Sequence, residues 1–493
     1  MKTLNDLNWR NGFAQLGDDF YAKQKPTPVN NPYLISVSPA AADLIELDLA
    51  STASADFIET VSGNRIPPEA QPLAQIYAGH QFGHFVPQLG DGRAILLGDV
   101  EGKNGRWELQ LKGAGPTPFS RNADGRAVLR SSIREYLCSE AMAALGIATT
   151  RALAITGTPD EVYREQIESG STVMRMAPTF IRFGTFELFY YRGQYDQVQQ
   201  LADYLIEQHY PELQQEAEPY LALLKAVNQR TAKMIAQWQL VGFAHGVMNS
   251  DNMSVLGLTI DYGPFGFLDQ YDPHFICNHS DHSGRYAFDQ QPQIGLWNVS
   301  CFAQTLLPLL DEDPETSAEK AQKVLQQYQG HHLTFYHQGL RQKLGLQTEQ
   351  KEDIELAQAL LGLMQLQGAD HTLVFRTLSQ IKVSDKSGDE GWLTHFKEPE
   401  KLQPWLESYR ARLHAEESKD DERQQQMNKI NPKYILRNYL AQNAIAKAQK
   451  KDYSEVEKLL KLLQQPFDEQ PEMEAYAAKP PEWAAEISVS CSS

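Results

Sequence analysis

Three side chains within eleven residues carry the densest chemical signal in this sequence: Asp251, Asn252 and Asp261. The first two sit in His245-Gly-Val-Met-Asn-Ser-Asp-Asn-Met-Ser, and the third in Thr259-Ile-Asp-Tyr-Gly just after it. Asn and Asp supply the hard oxygen ligands that Mg²⁺ or Mn²⁺ prefers, with phosphates and water completing the octahedron. The chemistry such a set suggests is metal-assisted handling of a nucleotide.

The order of these residues sharpens that expectation. A loop ending on Asn, then a short β-branched strand ending in Asp-x-Gly, is how kinase-like folds hold nucleotide-bound metal. Such enzymes open the loop with His-x-Asp, the Asp being the catalytic base. Here the text is His245-Gly246-Val247, with an apolar residue in that place. The chain is either a broken kinase or a different enzyme.

Other elements must bring cations to the same place. Trp107-Glu-Leu-Gln-Leu-Lys112 alternates apolar and polar residues, which predicts a half-buried strand ending at a lysine. From Ser131, through Glu135, Cys138, Met142 and Leu145, helical spacing runs to Gly146 as a C-cap. A strand lysine followed by a helix glutamate is the ion pair that aims lysine at nucleotide phosphates. The plainer reading is a solvated Lys112 and a Glu135 held by the helix dipole. Arg175 and Arg182 lie among Met, Phe and Ile in STVMRMAPTFIRFGTFE. Buried arginines need an anion, either a phosphate or a structural carboxylate. Gly90-Asp-Gly-Arg93, between two apolar stretches, reads as a hairpin that could cover phosphates or be an ordinary turn. The loop containing Ser120, Arg121, Asp124 and Arg126 could line the same site or simply face water. His80 and His84 are spaced as a helical metal pair, but Gly79 and Gly83 argue against a helix and favour structural roles. Cys277, His279 and His282 invite a zinc reading, yet no Cys-x-x-Cys accompanies them.

Composition bounds the rest. With 493 residues, 42% hydrophobic, the chain can bury a substantial core in two or three units. A net charge of −18 argues against a non-specific nucleic-acid or anionic-membrane binder. The first thirteen residues lack the apolar stretch of a secretion signal, and no apolar run approaches 18 residues. Four cysteines make no disulfide framework, so a cytoplasmic protein is expected. Residues 1–75 read as an irregular leading segment with one or two helices. Helical periodicity returns at 196–240, and from Trp297 onward the chain reads as almost entirely helical.

The motifs converge on a family. YAGHQFGHFVPQLGDGRA, ELQLKGAGPTPFSR, ADGRAVLRSSIREYL, HGVMNSDNMS, IDYGPFGFLD, HSDHSGRYAF and IGLWN resemble the selenoprotein O family of protein adenylyltransferases, in its cysteine-containing bacterial form. The resemblance implies an α+β, protein-kinase-like two-lobed fold with a β-rich N-lobe, a helical C-lobe and a long helical C-terminal extension. On that reading the divisions are 1–75, 76–185, 186–315 and 316–493. It implies a pseudokinase that binds ATP in a flipped orientation and moves AMP to Ser, Thr or Tyr of proteins. Gly90, Gly92, Arg93, Lys112, Asp124 and Gly125 would contact ATP, Arg175 and Arg182 would hold phosphates, and Lys112 would pair with Glu135. Asp251 would accept the proton, with Asn252 and Asp261 binding Mg²⁺ or Mn²⁺. An ATP-dependent phosphotransferase with a rearranged base and a non-catalytic ATP-binding scaffold are the alternatives. One departure lies at the tail. Selenocysteine members end in Cys-x-x-Sec, whereas Ser488 and Cys491 stand at those positions here. A local dithiol is thereby lost, although Cys491 could pair with Cys277 in the redox role the family suggests.

Overall fold

Apolar alternation in the first 180 residues builds one antiparallel sheet. The computed structural model describes residues 2–490. Its sheet contains β1 (Tyr21–Lys23), β2 (Tyr33–Val37), β3 (Leu73–Gln75), β6 (Ala94–Gly102), β7 (Gly105–Lys112), β9 (Arg151–Tyr163) and β10 (Ile167–Ala177). The order is β1-β3-β6-β7-β10-β9-β2, with the short β8 (Ala127–Val128) also pairing with β10. Residues 1–75 therefore carry three strands as well as the helices α1 (Pro39–Leu44) and α2 (Ala55–Ser62). Two small hairpins stand apart: β4 (Gly79–Gln81) with β5 (His84–Val86), and β11 (Phe243–Ala244) with β12 (Gly266–Phe267).

Register in this sheet places the chemistry. β7 and β10 pair so that Gln110 opposes Arg175 and Lys112 opposes Val173. Residues two apart on a strand share a face, so Gln110 and Lys112 project together with Arg175. Gly113 then ends β7 at φ +96°, where a Cβ would lie 2.5 Å from the carbonyl of Ser171. Behind the sheet runs α3 (Leu129–Ala144), which buries Leu129, Ile133, Tyr136, Leu137 and Met142 and also Glu135. Gly146, at φ +77°, closes it.

The rest of the chain is helical: α4 (Phe183–Tyr191), α5 (Tyr195–His209), α6 (Pro219–Val241), α7 (Gln291–Leu310), and then α8 (Pro314–Leu325) through α16 (Ser454–Leu463). The far end returns to the site's frame. α15 (Asn438–Ala448) and α16 pack on α3. There Arg134 Nη1 donates to Asn438 Oδ1 at 3.2 Å and Gln464 Nε2 to Glu140 Oε2 at 3.4 Å. The fold is thus mixed α+β with antiparallel strands. No helix among the described residues is long and apolar enough to cross a membrane.

Two local expectations change. Gly90–Arg93 is not a hairpin tip, because β5 pairs with β4, while β6 pairs with β3 and β7. It is a loop pressed on Phe119: at Gly90, φ +145°, a Cβ would meet that ring at 2.5 Å. The strand expected to end at Asp261 is also absent. Thr259 makes only an isolated parallel bridge to Thr149, and the local strand is β12, after Asp261.

Candidate active site

Asp251 is seated by contacts from distant parts of the chain. It lies in a single 3₁₀ turn, Ser250–Asn252. Ser250 Oγ donates to Glu187 Oε2 at 2.5 Å and accepts from the His80 amide at 2.7 Å. Asn249 Oδ1 accepts from Tyr286 Oη at 2.6 Å and from the Phe82 amide at 3.1 Å. The strand β4 must pass without a side chain at Gly79, where a Cβ would stand 2.6 Å from Asp251 Oδ1. Gln81 Nε2 donates to Asp251 Oδ2 at 3.2 Å, while Oδ1 is buried with no hydrogen-bond partner. Burial in this setting pushes the Asp251 carboxyl up to about 7, against the lowering effects of Gln81 and Arg182.

Asp261 lies in the opposite kind of environment. Its backbone is left-handed, φ +57°, a conformation Asp tolerates better than most residues. His245 fixes the approach: its Nε2 bonds the Ile260 carbonyl at 2.9 Å, and its ring stacks on Trp238. Arg175 Nη1 pairs with Asp261 Oδ1 at 2.5 Å, and Arg182 Nη1 with Oδ2 at 2.6 Å. Lys112 Nζ is 2.5 Å from Glu135 Oε2 and 3.9 Å from Asp261 Oδ1. Arg175 also reaches Glu135 at 3.0 Å. Burial alone would raise the Asp261 carboxyl, but Arg182, Arg175 and Lys112 hold it well below the usual carboxylate range. The sequence left phosphate or carboxylate open as partner for the two arginines. In this structure their partner is a carboxylate, Asp261, which itself faces the cavity.

One cavity of about 700 Å³ gathers these groups. Gly90, Gly92, Arg93, Lys112, Asp124, Gly125, Arg175, Arg182, Asp251, Asn252 and Asp261 all line it, as does Val247. Glu135 reaches it through Lys112. The loops over its mouth are held backbone to side chain: Thr117 Oγ1 donates to the Asp91 carbonyl at 2.7 Å, and Ser120 Oγ bonds the Gly92 carbonyl. Gly125, at φ +66°, packs where a Cβ would strike the Gly115 carbonyl at 2.1 Å. A cavity this size, lined by glycine loops, cations and the two aspartates, suits a nucleoside triphosphate.

A family model for protein adenylyltransferase SelO matches residues 3–464. This chain belongs to the SelO family. Curated relatives described as protein nucleotidyltransferase YdiU agree along the full length of both chains. The one from Thioalkalivibrio sulfidiphilus is 54% identical, that from Thiobacillus denitrificans 52% and that from Myxococcus xanthus 49%.

Within this SelO-family cavity several residues were not foreseen from sequence. Gln110 Nε2 donates to Asp91 Oδ2 at 3.0 Å while its Oε1 accepts from Arg175 Nη2, which links the Gly90–Arg93 loop to the Asp261 cluster. Tyr77 lies beneath Arg182, 4.7 Å from its ring centroid. Arg164, beyond the end of β9, takes Asp124 in a bidentate pair at 2.8 and 2.9 Å, so Asp124 faces the cavity already paired. A strand alternation signal could have found Gln110; nothing local marks Gln81, Glu187 or Arg164.

Asn252 Nδ2 donates to the Val247 carbonyl at 3.0 Å, which leaves the amide oxygen as the atom that could ligate a metal. With Asp261 it forms an all-oxygen set whose chemistry fits Mg²⁺ or Mn²⁺. Cys277, His279 and His282 do not gather into a cluster among the described residues. His80 Nδ1 instead bonds Glu187 Oε1 at 2.7 Å near the half-buried Cys301, whose thiol is pushed up to about 12 by desolvation and by Glu187. Cys491, and with it the expected pairing with Cys277, lies outside the described residues.

Proposed function

We propose that this chain transfers AMP from ATP to Ser, Thr or Tyr hydroxyls of proteins, on a kinase-like two-lobed frame. The sheet-bearing segment 76–185 would be the N-lobe, 186–315 the C-lobe and 316–493 a helical extension. The name of the family and of its relatives supports adenylyl transfer. One observation carries the assignment of roles: two aspartates of one cavity have opposite electrostatic settings, one fixed as an anion and one able to titrate near neutrality.

In this reading Lys112, aligned by Glu135, and the two arginines hold the triphosphate. Glycines at 90, 92 and 125 let the loop backbones approach it. Asn252 and Asp261 would hold Mg²⁺ or Mn²⁺, which when bound neutralises phosphate charge. The acceptor oxygen attacks the α-phosphorus as its proton passes to Asp251 Oδ1 or Oδ2. The bond from the α-phosphorus to the bridging oxygen breaks, and diphosphate leaves. Val247 cannot take a proton, so the base has moved from the kinase position to Asp251. A cytoplasmic setting and a redox link through Cys491 belong to the same reading.

ATP labelled on the α- or the γ-phosphate tests it. Label on protein from α-labelled ATP alone is the expected result. Label from γ-labelled ATP would establish a phosphotransferase with a rearranged base. Nucleotide-dependent thermal stabilisation without transfer of either label would leave a scaffold.

A further inference from the structure

A second cavity, about 590 Å³, adjoins the first and shares Phe82 as a wall. Phe82, at φ +50°, and Gly83, at φ +84°, form the turn between β4 and β5. The Phe82 amide donates to Asn249 Oδ1 at 3.1 Å and to Tyr286 Oη at 3.0 Å. That turn is therefore tied both to the Asp251 loop and to the segment carrying Arg285. The Arg285 guanidinium lies directly on Gly83, where a Cβ would stand 3.2 Å from Cζ, and 4.8 Å from the Trp297 ring centroid. It lines the second cavity with Ile276, Ala287 and Ile294.

Arg285 lies over the Trp297 and Tyr286 rings but has no carboxylate partner. Among the described residues no carboxylate stands within 4.0 Å of it, and its buried Nε makes no hydrogen bond. His274 and Asp289 also line this cavity and bond each other, Nδ1 to Oδ2 at 2.8 Å, rather than Arg285. The cavity thus presents an arginine with no carboxylate in contact, beside apolar side chains and one wall away from the base. ATP phosphates already have Lys112, Arg175 and Arg182 across Phe82, so the anion Arg285 awaits is a different one.

We propose that this second cavity seats the acceptor segment of the protein substrate, with Arg285 pairing an Asp or Glu side chain near the modified hydroxyl. The inference rests on the adenylyl-transfer reading and adds a substrate class to it. Apolar neighbours such as Ile276, which is 44% exposed, would take the intervening side chains.

Synthetic peptides with one acceptor hydroxyl and Glu, Gln or Lys at successive flanking positions test this with α-labelled ATP and the full-length chain. At one offset the Glu peptide should have a KM about tenfold below its Gln counterpart, equivalent to one well-placed charge pair of about 1.4 kcal/mol. High salt should erode that advantage. Arg285→Ala should abolish the difference, Arg285→Lys should keep part of it, and Arg285→Glu should transfer the preference to the Lys peptide. ATP-dependent thermal stabilisation of each variant shows that it is folded. Equal KM values for the wild-type chain at every offset overturn the proposal, as does an Arg285→Glu variant that still prefers Glu. If no protein or peptide takes α-label at all, the adenylyl-transfer reading has failed instead. If the Arg285 variants do not fold, the wild-type peptide series and its salt dependence still decide.

Discussion

Asp251 and Asp261 stand ten positions apart and line one cavity, yet the fold treats them as different reagents. Asp261 is surrounded by charge: two arginines bond its two oxygens and Lys112 stands close behind. Asp251 is surrounded by packing, with a glycine strand against one oxygen and a neutral amide on the other. Burial pushes both toward the neutral acid, although Asp251 is the more enclosed and Asp261 keeps 20% of its side chain exposed to the cavity. Cationic neighbours outweigh that push at Asp261; at Asp251 nothing does. A carboxylate that must stay charged is given cations, and one that must exchange a proton is given none at contact distance.

Removing the charged member should have the larger effect. Asp261→Ala takes from Arg182 its carboxylate partner and leaves Arg175 with Glu135 alone, both arginines being 2% exposed at the side chain. Breaking a buried pair in this way typically costs about 3–5 kcal/mol, read as a lower urea midpoint. Divalent-ion-dependent ATP binding, measured by calorimetry, should be lost as well. Asp251→Ala should leave ATP binding in place but lower turnover by about 10²–10⁴-fold, the usual contribution of a positioned base. If Asp251→Ala keeps full α-label transfer while Asp261→Ala loses it, the division of labour between the two aspartates is wrong.

How much of this contrast could be read in the sequence depends on the reach of each contact. Lys112 at a strand end and Glu135 on a helix are local patterns, and they meet at 2.5 Å. The α+β class and the helical second half follow from period and composition in the same way. Arg175 was half legible: a buried arginine demands an anion, but which one depends on the β7–β10 register and on the left-handed turn at Asp261. Gly90-Asp-Gly had the composition of a hairpin, and the pairing of Leu73 with Leu96 together with the Phe119 contact made it a packed loop instead. The seat of Asp251 was not legible at all. Gly79 and Gln81 precede it by about 170 residues, and no residue type marks them as partners.

The titration of Asp251 sharpens the comparison further. With its carboxyl at about 7, kcat/KM should rise with pH through a single limb near that value, and Asp251→Asn should remove both the limb and the activity. Stability should move the other way. Between the ordinary value near 3.8 and about 7, the folded chain keeps a proton that the unfolded chain has released, so stability falls as pH rises through that window. Asp251→Asn should flatten this slope. Asp261 has the reverse sign: its contribution is present above its unfolded value and is lost only as pH falls well below it.

Gln81 gives the smallest and most specific test. Its amide is the neutral donor on Asp251 Oδ2, and that bond lowers the carboxyl slightly by favouring the charged form. Gln81→Leu keeps roughly the same bulk and removes the donor, so the acidic limb of the kcat/KM profile should move to higher pH by less than about one unit, or roughly 1.4 kcal/mol. A merely structural role for Gln81 would lower activity at every pH without moving the limb. A limb that shifts under Gln81→Leu but stays fixed under Gln110→Leu, which touches the Asp261 side, would show that the two carboxylates are tuned separately.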